Sequence, residues 1–254
     1  MIDFLPIARF ALLLVRPGLI VMVAPGFGGV YAPAQVKLGL IVMLSIGLVP
    51  SVGVPDAEAI GQVGLAMMIA REIAIGMALA LVTRALILAT EFAGHLSGYQ
   101  IGFSYGATVD PSSGARHNEL ATLYGLVAVL TFLGINGHHA LLRALVVSYK
   151  GLPIGAGHLN ASLLTAVQNI FALVFTVGLR LAAPIVIVML IVELAVGLIS
   201  RTAPALSVQV IGMPIRLVIG LALLAVVIAT VPGVVSSLVA RVIELALETA
   251  TAFR

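Results

Sequence analysis

The chain has 254 residues, of which 61% are hydrophobic and only 9% are charged, and its formal net charge is +3. A soluble domain usually carries about 25% charged residues, so this composition excludes an ordinary soluble globule and indicates a membrane protein. The small, dispersed positive charge offers no patch for a nucleic acid. The absence of cysteine excludes disulfides and thiolate metal sites. No composition shift marks a boundary, so we expect one domain over residues 1–254.

Apolar runs separated by proline and glycine predict the helices. In chain order they lie at 4–23, 36–50, 60–93, 119–147, 160–199 and 210–231, and an amphipathic tail helix follows at 233–251. The first run begins after Asp3 rather than after basic residues, and it lacks a small-residue cleavage motif. We therefore expect it to be retained rather than removed as a signal peptide.

The lengths of these runs do not fit simple membrane spans, because a spanning helix needs about 20 apolar residues. The run at 36–50 is too short, whereas those at 60–93 and 160–199 are too long for one span. We expect the long runs to be hairpins, bent helices or tilted pairs. Pro184 is the natural position for a break in the second of them.

Nearly every predicted helix carries an arginine well inside its apolar run. These are Arg16, Arg71, Arg84, Arg143, Arg180 and Arg216. An arginine at the centre of a bilayer costs about 2.5–3.5 kcal/mol on insertion scales. We infer that the helices do not simply face lipid, and that the chain is enclosed by partners that supply counter-charges.

Acidic residues near these arginines predict a buried charge network. Its members are Arg71, Glu72, Arg84, Glu91, Arg180 and Glu193. Arg84 and Glu91 are seven residues apart and share one helix face, whereas neighbouring residues such as Arg71 and Glu72 point about 100° apart. We expect each of the latter two to meet another segment. The network either fixes the register of the helices or relays protons or ions, and the sequence leaves both open.

Glycines recur every four residues at Gly94, Gly98, Gly102 and Gly106, directly before a turn sequence that starts at Asp110. Residues four apart lie on one helix face, and a face without side chains lets another backbone approach closely. Each glycine also costs about 1 kcal/mol of helix stability relative to alanine. The strip therefore indicates either tight packing before an ordinary turn or a segment that must bend and move.

Motifs for catalysis, metals and cofactors are absent from the sequence. His138 and His139 are adjacent and face different directions on a helix, so we expect a helix break at Asn136-Gly137 there rather than a metal site. There is no G-x-S-x-G motif, Walker-type loop or paired-carboxylate arrangement. We predict no catalytic residues, no metal and no cofactor, and hence a protein that is not an enzyme.

Several short motifs, taken in order, resemble the FliR family of export-gate proteins in type III secretion, including the SctT-like injectisome counterparts. They are Ala24-Pro25-Gly26-Phe27-Gly28, Arg71-Glu72, Ala93 through Gly114, Asn136-Gly137-His138-His139, Arg201-x-x-Pro204 and Gly212-x-Pro214. The family often has glutamine, leucine and asparagine after the Arg-x-x-Pro proline, where this chain has Ala205-Leu206-Ser207. That departure removes the polar contact such an asparagine would make.

The resemblance implies an all-α membrane protein whose bent helical hairpins pack in a hetero-oligomeric gate. FliP-like helices would form its N-terminal part, and a FliQ-like hairpin would cover about 160–231. The implied partners are FliP-, FliQ-, FlhB- and FlhA-like proteins and membrane lipid, at the base of a flagellum or injectisome in the bacterial inner membrane. Unfolded flagellar or effector proteins would pass through the channel.

The resemblance also places the channel plug on the end of the glycine strip. The implied plug residues are Ile101, Gly102, Phe103, Ser104, Tyr105, Gly106, Asp110, Pro111 and Gly114, and Gly94 and Gly98 are the implied close-packing positions. One rival is an autonomous small-molecule transporter with a broken-helix site, which predicts an inverted repeat that we do not find. Another is an intramembrane enzyme, which needs a catalytic pair that we cannot locate.

Overall fold

The computed structural model describes residues 5–28, 32–52, 61–103, 118–156, 161–202 and 208–252. All regular structure in these residues is helical, which confirms the all-α prediction. The helices are α1 Leu5–Val23, α2 Ala34–Leu48, α3 Gly61–Ile101, α4 Glu119–Gly134, α5 Gly137–Gly151, α6 Ala161–Thr202, α7 Val208–Ile228 and α8 Val231–Ala252. A 3-10 turn, Val49–Ser51, follows α2.

The two longest helices, α3 and α6, are each continuous. Gly64–Ile101 in α3 has 38 residues and Leu164–Thr202 in α6 has 39, and both are long and apolar enough to cross a membrane. The prediction of hairpins or tilted pairs is therefore wrong for both runs. Pro184 lies inside α6, so the predicted break is also wrong. In apolar helices, neighbouring groups and local adjustment satisfy the carbonyl that a proline frees.

The bends occur in two other helix pairs. Helices α4 and α5 meet at 72°, and Gly212–Ile228 meets Val231–Arg241 at 46°, so each pair fits a broken span or a re-entrant loop. The first bend confirms the predicted break, because Asn136 has a left-handed φ of 58°. Asparagine tolerates that conformation better than most residues. At the next position a Cβ would lie 2.8 Å from the Phe132 carbonyl oxygen, so glycine is required.

The chain contacts divide it into two compact units. Unit 1 comprises Met1–Leu86, Phe132–Ala172 and Ser236–Arg254, and unit 2 comprises Ile87–Thr131 and Leu173–Val235. The core of unit 1 includes Leu12, Leu13, Ile75 and Leu152, and it also buries two charged side chains. The core of unit 2 contains Ile185 and Met189, and the buried polar residues described there, Thr90, Ser97 and Asn118, are uncharged. The expectation of one domain over residues 1–254 stays a prediction.

Helix α8 is amphipathic over the part whose side chains the structure describes, as predicted for the tail. Leu238 is buried, whereas Arg241 and Glu244 form an exposed ion pair with 2.6 Å between Nη1 and Oε2. The i, i+3 spacing places both charged side chains on one face. An exposed pair of this kind contributes little stability, about 0–1 kcal/mol.

Candidate functional site

A fully buried ion pair joins α1 to α3 in unit 1. The Arg16 Nε donates to Glu72 Oε2 over 2.6 Å, and Nη2 donates to Oε1 over 3.0 Å. Both side chains are 0% exposed. The bidentate fork is the strongest geometry for an arginine and a carboxylate, and it fixes orientation as well as distance. The pair therefore sets how α1 and α3 meet.

The turn after α5 completes this site through the backbone of Gly155. Its N–H donates to Glu72 Oε1 over 3.1 Å, and its carbonyl accepts from Arg71 Nη1 over 3.3 Å. Gly155 has φ +80°, and a Cβ there would lie 2.6 Å from Met68 Cε. The positive φ favours glycine at this position, whereas the flexible Met68 side chain could move aside for a Cβ. The side chains of Arg71 and Glu72 thus bind the carbonyl and the N–H of Gly155, and these two bonds attach the turn to α3.

The ring of Tyr149 on α5 packs against the guanidinium group of Arg16. Its ring centroid lies 4.4 Å from Arg16 Cζ, a cation–π distance, and its hydroxyl donates to the Leu13 carbonyl over 3.1 Å. Arg16 Nη1 has no hydrogen-bond partner within the described residues. The site is otherwise saturated by the chain's own groups, and such closed geometry suits a structural role better than an open relay.

The remaining predicted charges lie elsewhere. Glu193 on α6 pairs with Arg216 on α7, with 3.3 Å between Oε1 and Nη1, and about a third of each side chain is exposed. Arg180 is exposed rather than buried in the chain by itself. Arg84 and Glu91 are half-buried and make interactions of their own. Sequence reasoning assigned no partner to Glu72 or Glu193, because the sequence carries no signal for which distant helices meet.

Gly94 brings α3 and α4 into close contact in unit 2. A Cβ at Gly94 would lie 2.5 Å from Ala121 Cα and 2.7 Å from the Leu120 carbonyl oxygen. These are backbone atoms, which cannot move aside as a flexible side chain can. The structure therefore uses the first glycine of the strip for backbone-to-backbone packing, as in small-xxx-small helix pairs.

Asn118 connects the same two helices one turn further along. Its Nδ2 donates to the His95 carbonyl over 3.1 Å, while its Oδ1 accepts from the N–H groups of Leu120 and Ala121 over 3.1 and 3.3 Å. The side chain lies against Gly98, where any Cβ would collide with it. Asn118 is thus the N-terminal cap of α4 and at the same time a hydrogen-bonded bridge to α3. Sequence reasoning missed it, although an asparagine before Glu119 and an apolar run is a cap signal.

The end of α3 is built by the next glycine. Gly102 has φ +103°, and the N–H groups of Gly102 and Phe103 both donate to the Gly98 carbonyl, over 3.1 and 3.0 Å. This is the usual left-handed glycine ending of a helix. Ile101 is buried against Gly220 on α7, and Phe103 is 39% exposed. The other predicted plug residues lie outside the described residues: Ser104, Tyr105, Gly106, Asp110, Pro111 and Gly114.

The described residues contain no group of three His, Asp or Glu side chains that could hold a metal ion. His138 and His139 contact each other, with 4.3 Å between ring centroids. His138 also meets the edge of Phe27 at a centroid distance of 6.5 Å. These contacts place the half-buried His138 ring in the packing around the α4–α5 bend, whereas His139 is exposed.

Long apolar helices, bent helix pairs and a charge pair buried between helices define the chain as a helical membrane protein. The model of the family described as Bacterial export proteins, family 1, matches residues 7–242. The chain belongs to this family, because the match covers nearly its whole length.

Curated relatives agree with the family match. The chain is 35% identical to the flagellar biosynthetic protein FliR of Escherichia coli over 212 residues, which are 84% of this chain and 81% of the relative. It is 30% identical to FliR of Pectobacterium carotovorum over 94% of this chain and 91% of that protein. It is 26% identical to FliR of Bacillus subtilis over 96% and 94%, respectively. The resemblance to the FliR family predicted from short motifs is thereby confirmed.

Proposed function

We propose that the chain is a non-enzymatic subunit of the flagellar export gate, where it helps to form and to plug the channel for unfolded proteins. The family match and the FliR relatives support a component of the flagellar export apparatus. The geometric observation that carries the proposal is the α3–α4 contact. Gly94, Gly98 and Asn118 hold the end of α3 against the start of α4, on either side of the segment between Phe103 and Asn118.

The proposed plug extends from Ile101 to Gly114. A plug must be held firmly at its base and must be free to move beyond it. The base is firm, because Ile101 is buried, Gly102 ends the helix in a left-handed conformation, and Asn118 is bonded to α3. In this proposal Phe103 and Tyr105 supply the bulk that blocks the pore, and Asp110-Pro111 supplies a rigid turn.

The proposed partners are FliP- and FliQ-like gate subunits together with FlhB- and FlhA-like export components. The proposed location is the bacterial inner membrane at the base of the flagellum. FliP-like helices form the N-terminal part in this proposal, and residues of about 160–231 form the FliQ-like hairpin. The buried pair of Arg16 and Glu72 then serves as a fixed joint inside the subunit, because the two side chains bond to each other, Glu72 also accepts from the Gly155 N–H, and the Tyr149 ring covers Arg16.

Deleting residues 106–113 in the whole gate complex tests the plug. We expect the complex to assemble, because the deletion leaves Gly94, Gly98, Gly102 and Asn118 intact. The membrane should then leak ions or a small dye while no substrate is being exported. The measurement is dye or ion leakage in cells that express the complete complex, with complex yield measured in parallel. A normally assembled complex that stays tight would remove the plug assignment and leave the glycine strip as packing alone.

A further inference from the structure

An apolar pocket lies between α1, α2 and α5 within unit 1. Its cavity volume is about 70 Å³, several times the roughly 10–15 Å³ that one water molecule requires. Nine of its ten lining residues are apolar, among them Ala24 just after α1 and Leu141, Leu142 and Leu145 on α5. Water molecules in such a pocket would find few polar partners. The pocket therefore suits an apolar group better than water.

His138 is the polar residue in this lining. Its Nδ1 is buried and has no hydrogen-bond partner in the described part of the chain. Most buried polar atoms in proteins are hydrogen-bonded, so an atom of this kind points to a group that the chain itself does not supply. The ring of His139 lies 4.3 Å away between centroids and is exposed. The pocket is thus next to an outward-facing polar surface.

Three basic residues form that surface, which we call the basic face of α5. His139, Arg143 and Lys150 lie within about 40° of one another around the helix, and all three are exposed. Arg143 and Lys150 make no ion pair within the described residues, and the sequence of α5 contains no acidic residue. The helix also turns away from α4 by 72°. A helix that is basic on one face and apolar on another is typical of a membrane interface.

We propose that the pocket and the basic face together bind one anionic phospholipid. Part of one acyl chain occupies the pocket, and the headgroup phosphate lies against Arg143 and His139. Leu142, which lines the pocket and is 38% exposed, connects the two parts of the site. The Nδ1 of His138 donates to an ester oxygen of the lipid. This site goes beyond the proposed function, because it requires only a helical membrane protein.

Size and charge favour a lipid over a helix of another protein. A helix with its side chains is about 10–12 Å across, too wide for a pocket of about 70 Å³, whereas a single hydrocarbon chain is narrow enough. A second copy of this chain that docked through the same surface would place one basic face against another, which opposes association. An anionic headgroup instead supplies the charge that Arg143 lacks, and basic pockets between membrane helices bind such headgroups.

The test uses the full-length chain as it purifies, with its partner subunits where they bind, in nanodiscs of phosphatidylcholine. A phosphatidylglycerol that carries a photoactivatable diazirine on one acyl chain is the anionic probe, and the matching phosphatidylcholine is the uncharged probe. Mass spectrometry measures the labelling of residues 20–27 and 138–145. We expect the anionic probe to label these segments about fivefold more strongly or better, since one basic residue near the surface changes the attraction by about that factor.

Matched variants assign the two parts of the site. Arg143→Gln should lower labelling by the anionic probe about fivefold and leave the uncharged probe unchanged. The control Arg180→Gln, at an exposed arginine on α6, should change neither. Ala24→Leu should fill the pocket and lower labelling of both segments by both probes. If that variant does not fold, Arg143→Gln still decides, because its side chain is exposed.

Three results would overturn the lipid site. Equal labelling by the two probes would show that the headgroup charge is not recognised. Wild-type labelling of Arg143→Gln by the anionic probe would remove the basic face from the site. Absence of labelling from both segments of the wild-type chain would mean that a protein side chain, rather than a lipid, fills the pocket.

Discussion

Replacing Glu72 with alanine is the sharpest perturbation of the buried joint in unit 1. It leaves the Arg16 guanidinium, which is 0% exposed, without a counter-charge. Breaking a buried ion pair in this way costs about 3–5 kcal/mol. The Gly155 N–H also loses its acceptor, which costs about 1 kcal/mol at a part-buried position. The expected loss is therefore about 4–6 kcal/mol, comparable with the whole stability of a small domain.

Matched variants separate the contributions. Glu72→Gln keeps an acceptor for Gly155 but removes the charge, so it should fall between wild type and alanine. The double variant Arg16→Met, Glu72→Leu replaces the pair with apolar groups of similar size and should recover most of the loss, since such swaps are often neutral or stabilising. Glu244→Ala breaks an exposed ion pair on α8 and should cost less than about 1 kcal/mol.

The assay is denaturant unfolding of the purified gate complex in detergent, together with the yield of assembled complex. Equal unfolding free energies for Glu72→Ala and Glu244→Ala would refute the reasoning. An Arg16→Met, Glu72→Leu double variant that is as unstable as Glu72→Ala would also refute the reasoning. Normal stability and yield with abolished export would assign the pair to a proton or ion relay instead.

Three further perturbations test the glycine contact, the helix end and the tail. Gly94→Ala should reduce the yield of complex, because the added Cβ would lie 2.5 Å from Ala121 Cα. The control Gly47→Ala, whose Cβ would meet nothing within 4 Å, should leave the yield unchanged. Equal yields for the two variants would contradict the close α3–α4 contact. Gly102→Ala should lower the free energy of unfolding of the complex by about 1–2 kcal/mol, because alanine is strained at a φ of +103°. No atom lies within 4 Å of the added Cβ, so crowding should not contribute. Denaturant unfolding of the complex measures the change. Deleting residues 240–254 removes the C-terminal part of α8, including the exposed Arg241–Glu244 pair, and should lower assembly if the amphipathic tail contacts a partner. Unchanged assembly and export would make it a solvated end.

The sequence predicts the helical class and several local features because they depend on neighbouring residues. The Asn136-Gly137 break follows from asparagine's tolerance of a left-handed φ, and the tight approach at Gly94 follows from four-residue spacing. Whether α6 stops at Pro184 depends instead on the groups around the proline, which a one-dimensional pattern does not show.

The polar site was less predictable, since its partners are far apart in the chain. Glu72 is recognisable as a buried acid within an apolar run, but its partner Arg16 lies 56 residues earlier and its second donor, Gly155, lies 83 residues later. Apart from the adjacent Arg71, any of the arginines inside the apolar runs would have satisfied the sequence argument. Only the packing of α1 and α5 on α3 selects Arg16.

Co-purification tests the central claim most directly. The chain is expressed alone and together with FliP- and FliQ-like subunits, and the mass, composition and thermal unfolding of the products are measured. We predict a discrete complex with a fixed ratio of the three chains, and an isolated chain that is polydisperse and unfolds at a lower temperature. An isolated chain that is monodisperse and stable, and that does not bind either partner, would contradict the account.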